Sequence, residues 1–149
     1  MPSSKHIVEL DVPYDKVWAF IEDLQNWAPL MPGYIAHRIV NEQEATWEFL
    51  GDFGFMKKKV SLKIERIIRV EPSMVTFDLE GLQDNIDGSG YFEIQAGNEG
   101  NARLIGQLDI SAGGFMGAMV NNVLKTFVPD TTAQLVEAIK SELQSGVAS

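Results

Sequence analysis

Between residues 34 and 112 the apolar and polar side chains of this chain change places at almost every step, and that alternation constrains the fold most. Trp47 and Phe49 oppose Thr46 and Glu48. Val75, Phe77 and Leu79 oppose Thr76, Asp78 and Glu80. Ile86, Gly88, Gly90, Phe92 and Ile94 oppose Asp87, Ser89, Tyr91 and Glu93. Leu104, Gly106, Leu108 and Ile110 oppose Arg103, Gln107 and Asp109. A period of two with one wet side reads as an antiparallel sheet. The spacing predicts strands over 34–40, 45–51, 75–79, 86–95 and 104–110, and a longer segment from Phe53 to Val70 whose alternation is read from Lys57 on. In the 57–70 strand Val60, Leu62, Ile64, Ile68 and Val70 are expected on the inner face. Another strand is expected over 5–12, where His6, Val8, Leu10 and Val12 alternate with Glu9 and Asp11. Gly88 and Gly90 on an inner face predict strong curvature or close packing there.

Two segments break the pattern. Pro13, Asp15 and the spacing of Val17, Phe20, Ile21 and Leu24 predict a short amphipathic helix over 13–24. Residues 25–33 then read as a helical turn or loop that exposes Trp27, Leu30 and Met31, because Pro29 and Pro32-Gly33 stop a longer helix. From Phe115 the period becomes helical, with Met116, Met119, Val120, Val123, Phe127, Leu135, Ile139 and Leu143 in one stripe. Pro129 predicts a kink, or two abutting helices. Residues 144–149 read as a loose tail. The expected architecture is α+β: a seven-stranded curved antiparallel sheet around a long C-terminal helix, with two short helices after the first strand, in one domain over residues 1–149.

Composition narrows the function. Lys plus Arg number 12 and Asp plus Glu 21, a net charge of −9 that makes nucleic acid an improbable partner. There are no cysteines, which excludes thiolate chemistry and thiolate metal sites. No apolar run is long enough to span a bilayer. The segment Met1 to His6 lacks an apolar signal region, which predicts a cytoplasmic protein. Lys57-Lys58-Lys59 is the one basic run. It reads as a solvated strand end or as a patch for transient contact with a membrane surface.

No phosphate loop, nucleophile elbow or His-Glu-x-x-His motif is present. The sequence calls for no catalytic residue, metal or cofactor. The stronger signal is apolar. Trp27, Met31, Phe53, Phe55, Met56, Phe115, Met116 and Met119 all fall at element ends, which converge around one opening in a sheet-plus-helix architecture. The expected walls of a cavity between sheet and helix are Trp47, Phe77, Phe92, Leu104 and Leu108 from the strands and Met119, Val120 and Val123 from the helix. Met31, Met56, Phe115 and Met116 would gate it, with Gly113-Gly114 as hinge, since methionine adapts to varied partners. The leading expectation is a non-enzymatic protein that binds a small hydrophobic molecule.

Two other readings stand beside it. An enzyme would need a titratable group aimed into the cavity, for which His37, Arg38, Asp84 and Asp87 are the candidates. An interaction protein docking onto a larger oxidoreductase would need an exposed apolar patch elsewhere.

Asp11-Val12-Pro13, Val17-Trp18 and Met31-Pro32-Gly33 resemble the opening of the START-like (Bet v 1-like, SRPBCC) superfamily. Gly113-Gly114-Phe115-Met116-Gly117 resembles the entry to the last helix in one branch of it, the carbon monoxide dehydrogenase G-subunit-like proteins. The resemblance runs from about Lys5 to Leu143. It implies a helix-grip fold, a hydrophobic cavity between sheet and long helix, and an accessory role beside a molybdenum hydroxylase with a lipid-like or quinone-like ligand. The chain departs from that pattern at Asp52, where the family often has proline, and in lacking an apolar tail after the last helix. The pocket is therefore what the resemblance carries over best.

Overall fold

One-sided alternation becomes a single sheet. In a computed structural model, which describes residues 3–97 and 100–147, seven strands run as β1 (Ser3–Leu10), β2 (Tyr34–Asn41), β3 (Glu44–Asp52), β4 (Lys57–Val70), β5 (Met74–Gly81), β6 (Ile86–Ala96) and β7 (Ala102–Ala112). All neighbours are antiparallel, in the order β1-β7-β6-β5-β4-β3-β2. Helices α1 (Tyr14–Ile21) and α2 (Leu24–Trp27) follow β1, and a 3-10 turn (Ala28–Leu30) leads into β2. Helix α3 (Gly117–Val147) closes the chain. This is the expected helix-grip arrangement.

The inner face of the sheet carries the core. Leu62, Ile64, Phe77, Phe92, Ile94 and Leu104 are buried there. Helix α3 lies chiefly on β1 and β7. It can come close because β7 offers Gly106, where an added Cβ would stand 2.5 Å from the Val136 side chain. Gly90 of β6 is likewise small for a neighbour: a Cβ there would stand 2.7 Å from the Phe77 ring.

Four expectations are corrected. First, Ile68 and Val70 face outward and are half-exposed, while Ile67 is buried. A β-bulge between Glu65 and Ile68 sets two residues of β4 against one of β5 and reverses the phase. Arg66 in the bulge takes φ +50° and its guanidinium pairs with Asp78. Second, the helix predicted over 13–24 is divided, because Asp23 adopts an extended backbone and caps α2 by accepting from the Gln25 N–H at 3.0 Å. Third, of the two outcomes expected at Pro129, two abutting helices are not found: α3 is one helix through it. Its last turns continue through residues 144–147, so most of the expected tail is helical; residues 148–149 lie outside the described residues. Part of the loop predicted over 97–101, residues 98–99, also lies outside them.

The fourth correction changes where a ligand could sit. Trp27 and Met31, expected at an exposed opening, are 1% and 3% exposed. The indole of Trp27 lies against three rings of the inner face: Trp47 edge-on with centroids 5.5 Å apart, Phe77 stacked at 5.5 Å, and Phe92 edge-on at 5.0 Å. Its N–H donates to the Ile21 carbonyl at 3.1 Å, and the Trp47 N–H donates to the Ala28 carbonyl at 3.0 Å. A buried indole needs such an acceptor, and the last residue of α1 and the first of the 3-10 turn, on either side of α2, supply them.

Candidate ligand cavity

Because α3 rests on β1 and β7, its first half stands away from β3 and β4, and two cavities open in the gap. The first has a volume of about 430 Å³. Its floor is Val60 of β4, its far wall Ile86 of β6, and its roof Met116, Met119, Val120 and Val123 at the start of α3. Phe53, Phe55 and Met56 of the β3–β4 turn close one side, and Ala112 and Gly113 the other. This lining is almost wholly apolar. The polar groups at its edge are Asn85 and an ion pair in which the Lys58 ammonium lies 2.8 Å from Asp84 Oδ1.

The second cavity, of about 520 Å³, continues along α3 beyond Phe53. Phe53 and Val123 belong to both cavities, and the Phe53 ring leans on Phe127 with centroids 4.6 Å apart. This cavity is far more polar: Asp52, Lys57, Thr126, Asp130, Thr131 and Gln134 line it. Thr126, Asp130 and Gln134 recur every fourth residue, which puts them on one face of α3.

The expected wall divides into two groups. Met119, Val120 and Val123 line the first cavity, as do Met56, Gly113 and Met116 from the expected gate and hinge. Trp47, Phe77, Phe92, Leu104 and Leu108 do not reach it. They are 0–3% exposed and packed in the core, three of them against Trp27. Met31 is buried with them. Gly114 holds the β7–α3 turn at φ +74°, and Phe115, next along, is 100% exposed.

Phe55 and the polar row on α3 were not among the site residues expected from sequence. Phe55 stood at an element end beside Met56, a sufficient hint. The four-residue spacing of Thr126, Asp130 and Gln134 beside the apolar stripe was the available signal for the second cavity.

Of the titratable candidates, Asp84 alone lines the first cavity, paired to Lys58. His37 shares a 2.7 Å hydrogen bond with the Tyr34 hydroxyl. Asp87 accepts from the Ser111 hydroxyl, and Arg38 is exposed. Two shifted groups lie on the outer face. The Lys59 ammonium, then the Ser61 hydroxyl, hold the Glu48 carboxyl below its ordinary range. The Glu65 carboxylate raises Lys63. Among the described residues no cluster of three His, Asp or Glu side chains could hold a metal ion, and no helix is long and apolar enough to cross a membrane.

A curved seven-stranded sheet gripping a C-terminal helix, with an apolar cleft at their junction, defines a helix-grip protein. A protein-family model matches residues 1–143, and the solved structures whose fold the chain shares are START/Bet v 1-like (SRPBCC) proteins. One is the Zhui aromatase/cyclase from Streptomyces sp. R1128, with TM-score 0.76, 13% identity, and coverage of 97% of this chain and 94% of that one. Another is a conserved protein from Geobacillus kaustophilus, with TM-score 0.73, 16% identity, and coverage of 97% and 96%. A third is a START superfamily protein from Mycobacterium smegmatis, with TM-score 0.71, 12% identity, and coverage of 96% and 97%. At such identities the likeness is one of fold. No curated protein matches the sequence significantly.

Proposed function

We propose that this protein binds a small hydrophobic molecule in the cleft between β4 and the first half of α3, and holds it without chemical change. One observation carries the reading. Around an apolar cavity of about 430 Å³, Phe55, Met56, Met116 and Met119 stay 74%, 45%, 48% and 63% exposed. Exposed apolar side chains gathered at one cavity mark a place where something apolar is to be covered. The volume is within the range of small-molecule sites.

The resemblance to carbon monoxide dehydrogenase G-subunit-like proteins favours a lipid-like or quinone-like ligand, and an accessory role beside a molybdenum hydroxylase. The cavity rim, with Met116 and Met119 exposed on it and Lys58 alongside, is then the face that meets an oxidoreductase or, transiently, a membrane surface. Native mass spectrometry of gently purified protein, before and after organic extraction, tests the binding reading. An extractable apolar adduct supports it. Absence of any adduct, with no thermal shift on adding fatty acids or quinones, contradicts it.

A cyclase-type activity is the second reading. It is favoured by the Asp84 carboxylate at the cavity edge and by the fold shared with an aromatase/cyclase. Asp84→Asn separates the two. A carrier keeps its ligand affinity, whereas an enzyme using that carboxylate as base loses turnover while still binding.

A further inference from the structure

The two cavities follow one another along α3, and their chemistry changes at Phe53. From Met116, just before the helix begins, to Leu124 within it, the chain gives the first cavity methionines, valines and a leucine. Over Thr126–Gln134 it gives the second hydroxyls, an amide and a carboxylate. At 1.5 Å per residue, the helical stretch from Gly117 to Gln134 is roughly 26 Å long. Phe53 stands at the boundary. Its ring lies over Gly51, where a Cβ would come within 2.9 Å of it, and against Phe127 on the helix side. The turn beneath is fastened: the Phe53 N–H donates to the Met56 carbonyl at 2.9 Å, and the Gly54 N–H donates to Asp52 Oδ1 at 3.0 Å.

We propose that these cavities are two halves of one elongated site for an amphipathic molecule, a deeper version of the binding reading above and resting on it. The apolar part lies between Val60 and Met119. An uncharged, hydrogen-bonding head, of hydroxyl, carbonyl or amide type, lies among Thr126, Gln134 and Lys57. Phe53 is the ring that both parts pass. Charge selects the head. Among the described residues Lys57 is the one cation lining the second cavity, and Asp52 and Asp130 are two anions, so a carboxylate head would meet a net negative lining. A neutral head can accept from Lys57 and Gln134 and donate to Asp130 or Thr126.

Displacement of Nile red from the full-length protein by dodecan-1-ol, dodecanoate and dodecane tests this at constant chain length. The alcohol should displace the dye at about tenfold lower concentration than either of the others, the worth of one or two neutral hydrogen bonds. A Thr126→Val, Gln134→Leu double variant should bring the alcohol to the level of the alkane while leaving the alkane unchanged. Phe53→Ala, which widens the passage between the two halves, should favour longer alcohols. Equal displacement by alcohol and alkane, untouched by the double variant, overturns the two-part site and leaves the apolar cavity standing. Tighter binding of dodecanoate overturns the neutral head. Failure of Nile red and all three compounds to bind would instead overturn the binding reading itself. Should the double variant unfold, the ranking of the three compounds on the natural sequence still decides.

Discussion

The two ends of the space between sheet and helix have opposite fates. At one, Trp27 fills the hollow, Phe77 and Phe92 close around it, and Gly106 draws α3 down onto β7. At the other, the first half of α3 stands off β3 and β4, and two cavities remain. The same sheet and the same helix make both. What differs is the short segment after β1, which sends a large indole into one end and nothing into the other. In this chain the place of the open cavities is set less by the sheet's curvature than by where α2 directs its aromatic.

That contrast can be broken most forcefully at Trp27. Trp27→Ala should cost about 3–5 kcal/mol, read as a fall of about 10 °C or more in Tm, because the rings around it cannot close the gap. Its first-order effect on ligand affinity should be small, since Trp27 lines neither cavity. A mild Tm change would mean that the filled end is loosely packed. At the open end, Val120→Trp should do the reverse. It fills the first cavity, so Nile red binding should drop at least about tenfold, while Tm moves by less than about 1 kcal/mol equivalent. Unaltered dye binding would place the ligand elsewhere.

The smallest effect is electrostatic. Glu48 lies on β3, outside the hollow, with its carboxylate 3.0 Å from the Lys59 ammonium. Lys59 holds its folded pKa below the ordinary carboxylate range, so this stabilisation is present at neutral pH and is lost as the pH falls through the depressed value. Glu48→Gln should therefore flatten the acid side of the stability profile slightly and leave dye binding unchanged at every pH. The pair is exposed, so the change should be near the limit of detection in urea titrations at pH 3 and pH 7.

How far the sequence could be read follows from which forces are local. Strand faces were legible wherever one side is wet, as at Trp47–Phe49 or Phe92–Ile94. They became illegible at the β4 bulge, where one residue with a positive φ reverses Ile68 and Val70. The methionines and valines at the start of α3 were legible as cavity lining because their apolar stripe takes the helical period directly after the last strand, where element ends converge. Trp27 was not. It ends a four-residue helix too short for periodicity to assign it a face, and its place depends on the Ile21 carbonyl and on three rings far along the chain. The expected walls Trp47, Phe77 and Phe92 were assigned to the hollow correctly as inner-face residues. What sequence could not show is that another side chain already occupies that part of it.

Methyl-resolved NMR during a titration with dodecan-1-ol tests the account most directly. Shifts should concentrate on Val60, Met116, Met119, Val120 and Val123, while Leu104, Leu108 and Val136 at the filled end stay still. Shifts centred on those last three, with the first group unmoved, would mean that ligand enters the Trp27 end and that the division drawn between the two ends is false.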